Sequence, residues 1–260
     1  MTEQIWPPAD RKQRAEDTYT RLFGPRNPDA PDADPEFGQI LRKLIFSDVF
    51  ATGELDDRTR ELVTCTVLAC LQALPQLTAH AAAALRVGVE PVVLREAIYQ
   101  LAPMLGFPRT LNAIGVLNQV FTGQGIELPL PEQATVGDAD RMARGAQLQQ
   151  ELYGTEIADA LAGLPAPFDV AVPGMLTGWL FGDFATRRTL DDATRELLLL
   201  MALTALNLGG PIPAHVRGAI AAGNPVEKVL AAIVQAIPYC GFPAGLVTIR
   251  ATLQVLDEQR

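Results

Sequence analysis

Apolar side chains recur along most of the chain at the spacing of an α-helix, with short polar breaks between segments. Residues 61–74 are apolar on nearly every side, which predicts a helix buried on most faces, and Asp56 or Asp57 is placed to cap its first turn. No segment alternates apolar and polar residues between hairpin turns, as a half-buried strand would. The sequence therefore predicts an all-α protein, with further helices in this half over residues 76–86, 91–105 and 109–121.

This pattern occurs twice in the chain. Residues 55–121 align without a gap on residues 190–256, at an offset of 135 positions, and 24 of the 67 aligned residues are identical. Both copies carry L-D-D-x-T-R-E-L, then Ala-His, then P-x-x-G-F-P, and upstream the segment RLFG at 21–24 corresponds to ELYG at 151–154 after a five-residue insertion. The period is far longer than that of solenoid repeats. It indicates duplication of a whole helical domain.

The boundary between the copies follows from a change in composition. Residues 122–136 hold two glycines and two prolines and lose the helical periodicity, as a linker does. We therefore predict two tandem domains over residues 10–122 and 137–257, joined by a linker at 123–136.

Charge and cysteine content narrow the classes of partner. The 260-residue chain has a net charge of -9 and a pI of about 4.8, so it lacks the basic surface that nucleic acid or an anionic membrane would need. Its N-terminal residues have no apolar signal-like stretch, and the most apolar run, 197–206, is about half the length of a membrane span. Cys65, Cys70 and Cys240 show neither disulfide nor metal-site spacing. We expect a reduced, cytoplasmic protein without a metal site.

The chain has only two histidines, His80 and His215, and both occupy one repeat position. Glu61 and Glu196 lie 19 residues before them, each in the first turn of an otherwise apolar helix. Imidazole suits proton transfer near neutral pH, and a carboxylate beside an apolar wall can exchange protons with it. The alternative is structural: the histidines fill packing or capping positions, and the glutamates favour the helix dipole. In a simple antiparallel hairpin we expect Glu and His to be ~12 Å apart along the axis, so contact would need a steep crossing, a water or a neighbouring subunit.

Further candidates differ between the two copies. Arg109 and Asn112, present only in the first, could hold a substrate carboxylate. Tyr239 and Cys240, present only in the second, could line a pocket or donate a proton.

Together, R-E-L, H-x-x-A, the following glycine and P-x-x-G-F-P resemble the carboxymuconolactone decarboxylase family, which also contains the AhpD-type alkylhydroperoxidases. The resemblance covers both copies and implies an AhpD-like all-α fold that forms homo-oligomers, with a trimer expected for a duplicated chain. It places the family's proton-relay glutamate on Glu61 and Glu196 and its catalytic histidine on His80 and His215. Gln76 stands four residues before His80, where the decarboxylase branch often has an acidic residue, and is counted among the candidate substrate-binding residues.

The peroxidase branch uses C-x-x-C, and this chain has no cysteine at either position in either copy, so thiol peroxidase activity is not expected. The resemblance implies a cofactor-independent enzyme, decarboxylase-like, that acts on a small acidic lactone or enolisable acid. The second copy is slightly favoured as the working one, because Tyr239 and the segment HVRGA match the family more closely. A biosynthetic cyclase or isomerase on the same fold, and a non-catalytic oligomeric scaffold or ligand-binding protein, remain alternatives.

Overall fold

The computed structural model describes residues 6–27 and 33–258, and no strand occurs among them. The all-α prediction is therefore confirmed. The helices of the first half are α1 (Arg11–Phe23), α2 (Pro35–Lys43), α3 (Asp57–Leu71), α4 (Leu74–Arg86), α5 (Pro91–Tyr99), α6 (Ala102–Leu105) and α7 (Phe107–Gly123).

The second half repeats this order with two changes. A short extra helix follows the first one, and the counterparts of α5 and α6 are joined into one helix. Its helices are α8 (Arg141–Tyr153), α9 (Glu156–Ala160), α10 (Phe168–Met175), α11 (Asp192–Ala205), α12 (Ile212–Ala221), α13 (Val226–Cys240) and α14 (Phe242–Glu258). In both halves a π-helical segment continues the second major helix, at Leu44–Val49 after α2 and at Leu176–Ala185 after α10.

The central helices α3 and α11 start at matching caps. The side chain of Asp56 accepts a hydrogen bond from the Thr59 backbone N–H, and Asp191 accepts one from Thr194 in the same way. Helix α3 is buried on nearly all sides beyond its first turn, as its apolar sequence predicts.

The two halves share one hydrophobic core. Helix α3 packs against both α11 and α13, and the buried apolar side chains form a continuous cluster through both halves. The contacts are reciprocal: Arg60 donates to Gln235 Oε1 over 2.8 Å, and its counterpart Arg195 donates to Gln100 Oε1 over 3.3 Å. Gln235 and Gln100 are themselves counterparts. An approximate two-fold axis between the halves produces such an arrangement.

Each half also ties its first helix to its π-helical segment in the same way. Arg11 donates from Nε to Asp48 over 2.8 Å, and Arg141 donates to Asp183 over the same distance.

Within the described ranges, no helix combines the length and the apolar composition needed to cross a bilayer.

Candidate active site

His80 and Glu61 are in direct contact. The Nδ1 atom of His80, on α4, lies 2.8 Å from Oε2 of Glu61, on α3, and both side chains are buried. The expected separation of ~12 Å was therefore wrong. The turn between these helices lies at residues 72–73, so the two residues stand about 11 and 7 positions from it, an axial offset of only ~6 Å. Two long side chains can cover that offset.

Tyr239 approaches the other ring nitrogen of His80. Its phenol oxygen lies 3.5 Å from Nε2, and the two rings meet edge to face with centroids 5.4 Å apart. Tyr239 lies on α13, so a side chain of the second half completes the histidine site of the first. From the sequence, Tyr239 favours the second copy's pocket, and that argument was wrong because Tyr239 belongs to the site of His80. Burial raises the pKa of Tyr239 and the nearby Glu61 carboxylate raises it further, so the phenol keeps its proton.

Aromatic side chains enclose the rest of His80. Phe23 meets the imidazole edge to face at 5.2 Å between centroids, and Phe46 packs in turn on Phe23. The His80 side chain is 9% exposed, compared with 14% for the side chain of His215. The first-half pair is thus closed in by packing.

His215 and Glu196 are set differently. The Nδ1 atom of His215, on α12, lies 3.5 Å from Oε2 of Glu196, on α11, and makes no hydrogen bond within the described part of the chain. Both residues line a cavity of about 650 Å³. Most of the cavity wall is apolar, and it includes Met104, Leu148, Leu176, Leu180, Phe184 and Leu199.

Smaller residues explain why this half holds a cavity. Ala185 stands where the first half has Phe50, and Ala222 stands where it has Val87. Gly218 replaces Ala83, and a Cβ atom at Gly218 would come within 3.0 Å of Oε2 of Glu196. The π-helical segment of this half, 176–185, provides much of the wall. Such segments often occur at functional sites.

Carboxylates outnumber guanidinium groups around the cavity. Glu151, Glu156 and Asp192 line it in addition to Glu196, whereas the cations are Arg195 and Arg217. The lining is therefore formally negative, so a carboxylate substrate needs local cations or N–H donors at the point where it binds.

Arg195 and Gln100 form a buried polar pair in the wall. Besides its bond to Gln100, the guanidinium donates to the backbone carbonyls of Phe184 and Arg187. Burial lowers the pKa of Arg195, an effect partly offset by Asp192 and Glu196.

The other sequence candidates lie elsewhere. Arg109, Asn112 and Gln76 are exposed and do not line this cavity. Asn112 donates to the side chain of Gln72, which in turn donates to the Arg109 backbone carbonyl, so these contacts secure the turn after α3. Among the described residues, no three His, Cys, Asp or Glu side chains are grouped as metal ligands would be.

Sequence reasoning missed Gln100 and Met104 at the cavity, and it used Arg217 and Gly218 only as part of the segment HVRGA. Gln100 and Gln235 are identical across the repeats, and this identity was the available signal for a role at the interface of the halves. For Met104 the sequence held no signal, because nothing in one copy indicates that its side chain reaches the site of the other.

Comparison with known proteins places this geometry in a family. The model of the carboxymuconolactone decarboxylase family matches residues 35–119 and 171–254, one match in each half. The chain is 25% identical over 114 residues to nitrosuccinic acid decarboxylase npaB of Metarhizium robertsii, a match that covers 44% of this chain and 80% of that protein. It is 24% identical over 143 residues to Peroxisomal protein 2 of Schizosaccharomyces pombe, covering 54% of this chain and 64% of that one.

A solved structure has the same overall fold. It comes from Burkholderia xenovorans LB400 and is described as a gamma-carboxymuconolactone decarboxylase subunit. The two chains superpose with a TM-score of 0.52 at 20% identity, over 95% of this chain and 97% of the other. Because the family model matches both repeats and more than half of the residues, the chain belongs to the carboxymuconolactone decarboxylase family.

Proposed function

We propose that the protein is a cofactor-independent, decarboxylase-like enzyme whose working site is the cavity at His215 and Glu196. One observation carries the choice of site: of the two repeated pairs, His215–Glu196 lines an open cavity, whereas His80 is enclosed by Phe23 and Tyr239. A substrate needs such a space beside the group that moves the proton.

The chemistry is a proton transfer to carbon. The bond between the substrate's carboxylate carbon and its α-carbon breaks, CO2 leaves, and the electron pair passes into an adjacent carbonyl or nitro group. His215 then protonates the α-carbon, and Glu196, 3.5 Å from Nδ1, returns a proton to the imidazole directly or through water. A positioned acid of this kind contributes about 10²–10⁴ in rate.

The name of the relative from Metarhizium robertsii supports this class of reaction. Nitrosuccinic acid carries a carboxylate on the carbon that bears the nitro group, so loss of CO2 leaves a nitronate that takes up one proton. In γ-carboxymuconolactone the carboxylate that leaves is on the γ-carbon, so the electron pair reaches the lactone carbonyl through the ring C=C bond, and the dienolate takes up one proton at carbon.

A cyclase or isomerase is the second candidate, and the size and apolar wall of the cavity are the observations that support it. A volume of about 650 Å³ with a mostly apolar wall would admit a larger, less charged substrate than a small lactone acid. In that case His215 and Glu196 would move a proton between carbons without loss of CO2. The remaining alternative, a non-catalytic scaffold in which histidine has a structural role, is supported at His80 alone, because aromatic side chains enclose that imidazole.

The test compares two matched substitutions. We would measure CO2 release from γ-carboxymuconolactone and from nitrosuccinate with the wild type, His215→Gln and His80→Gln. The proposal expects a loss of about 10²–10⁴ in kcat for His215→Gln and little change for His80→Gln. Equal rates for all three proteins would reject it. Absence of CO2 release from the wild type with both acids would leave the cyclase or isomerase to be tested.

A further inference from the structure

The cavity wall contains buried N–H groups that have no acceptor. Gln100 is 5% exposed and Arg195 is 7% exposed, and both line the cavity that holds His215. Within the ranges that the structure describes, neither Nε2 of Gln100 nor Nε of Arg195 makes a hydrogen bond. Leaving such donors buried and unpaired costs stability, because their hydration is lost without a compensating bond.

The first half shows that the unpaired donors are a property of the open site and not of the fold. There, Nε2 of Gln235 donates to the hydroxyl of Thr64 over 3.1 Å, and Nε of Arg60 donates to the carbonyl of Leu55 over the same distance. In the second half Leu199 replaces Thr64 and removes the acceptor that Gln100 would use. The same pair of side chains is thus satisfied beside the closed site and unsatisfied beside the open one.

Their orientation is fixed by the surrounding bonds. Arg195 can only donate, so its bond to Oε1 of Gln100 determines which end of the amide is the free N–H end. The carbonyl of Phe184 accepts from the same Nη1 atom that binds Gln100, and the carbonyl of Arg187 accepts from Nη2, so Nε is the guanidinium nitrogen left without a partner among the described residues. These bonds fix the orientation of the two donors, and because both nitrogens are covered, a small shift of the cavity wall accompanies the arrival of an oxygen ligand.

We infer that Gln100 and Arg195 form an oxygen-binding subsite, which holds a carboxylate, carbonyl or nitro oxygen of the substrate while His215 transfers the proton. The inference rests on the proposed function for the reaction, but the binding of an oxygen anion can be measured without it. Gln100 comes from the first half and Arg195 from the second, so both halves build this subsite. The oxygen that accepts the electron pair when CO2 leaves gains negative charge, and these N–H groups would stabilise it.

The experiment uses benzoate, a carboxylate on an apolar ring, and benzyl alcohol as a neutral probe of the same apolar wall. Binding of each is measured by isothermal titration calorimetry with the full chain. We expect Gln100→Leu and Gln100→Glu to weaken benzoate binding by about tenfold or more, since a hydrogen bond to a charged group is lost or replaced by repulsion. Binding of benzyl alcohol should stay unchanged. Gln100→Glu keeps an acceptor for Arg195, so it serves if the leucine variant does not fold.

Gln235→Leu is the matched control. It removes the counterpart amide together with its bonds to Arg60 and Thr64, so it should lower the unfolding temperature and leave benzoate affinity unchanged. Equal benzoate affinity in the wild type and both Gln100 variants would overturn the inference. So would a wild type that does not bind benzoate, or an equal loss of both probes. A third result would separate the two proposals: benzoate binding depends on Gln100, but turnover is unchanged by His215→Gln. That result would reject the proposed function and leave the oxygen-binding subsite standing.

Discussion

The phenol oxygen of Tyr239 lies 3.5 Å from Nε2 of His80, although the two residues belong to different halves of the chain. The counterpart of Tyr239 in the first half is Met104, and it lines the cavity beside His215. At this repeat position each half thus contributes a side chain to the histidine site of the other. Tyrosine helps to close one site, and methionine leaves the other open.

Histidine reactivity should differ between the two sites. Diethyl pyrocarbonate acylates accessible imidazole, so we expect His215 to react several times faster than the enclosed His80. Tyr239→Ala should bring His80 to a rate near that of His215, because it removes one wall of the enclosure. Peptide mass spectrometry after timed exposure would measure both rates.

Met104→Ala provides the control for that comparison. It changes the counterpart residue at the open cavity and should leave His80 slow. Equal rates for both histidines in the wild type would show that His80 is not enclosed in solution.

Gly218 should matter for turnover. A methyl group there would come within 3.0 Å of the Glu196 carboxylate, so Gly218→Ala should displace Oε2 and lower kcat by about tenfold, as small misplacements in active sites do. The reverse change in the first half, Ala83→Gly, should destabilise the helix by about 1 kcal/mol without affecting turnover. Steady-state kinetics and urea unfolding of both variants would check this, and an unchanged kcat for Gly218→Ala would count against Glu196.

Much of the fold could be predicted from the chain itself. The repeat, the absence of strand patterning and the apolar run after Asp56 predict tandem helical units, because helix periodicity and caps are local properties. Details of helix ends were less accurate. The cap at Asp56 agrees with the sequence, but helix α3 ends at Leu71 rather than at residue 74, and the helix predicted over 91–105 is broken between α5 and α6.

The site was only half predictable. His and Glu could be identified in each copy because they recur at one spacing. Which side chain of the opposite half faces each histidine depends on how α13 packs on α3, and no local pattern encodes that long-range contact. The side-chain volumes that open one site and close the other become meaningful only once that packing is known.

A buried ion pair should contribute to stability. Glu96 is 3% exposed and accepts two hydrogen bonds from Arg187, which lies on the far side of the linker in the chain. Glu96→Gln leaves the partly buried guanidinium of Arg187 without its carboxylate and should lower the free energy of unfolding by about 2 kcal/mol, the contribution of hydrogen bonds to a charged group. The exposed pair Arg188–Asp192 is the control, and Arg188→Gln should cost no more than about 0.5 kcal/mol. Urea titrations would measure both, and equal small losses would contradict the expectation.

Cys70 should make stability depend on alkaline pH. Burial raises the pKa of its thiol from 9.0 to about 12, so the folded chain keeps the thiol neutral while the unfolded chain ionises it. The stabilisation is complete below pH 9 and is lost as pH rises through 12, at ~1.4 kcal/mol per pH unit between these values.

Above pH 9 the free energy of unfolding of Cys70→Ala should fall less steeply with pH than that of the wild type, by ~1.4 kcal/mol per pH unit. Urea unfolding at several pH values between 8 and 10.5 would compare the two proteins. Parallel curves would show that the thiol does not ionise on unfolding in this range.

The reciprocal bonds Arg60–Gln235 and Arg195–Gln100 have a consequence for how such a protein can diversify. In a dimer of identical subunits, one codon change alters both sites at once, so a larger side chain cannot close one pocket without closing the other. Here the two partners are encoded in a single reading frame. Position 239 can become tyrosine while position 104 stays methionine, and one pocket can specialise while its twin becomes part of the scaffold.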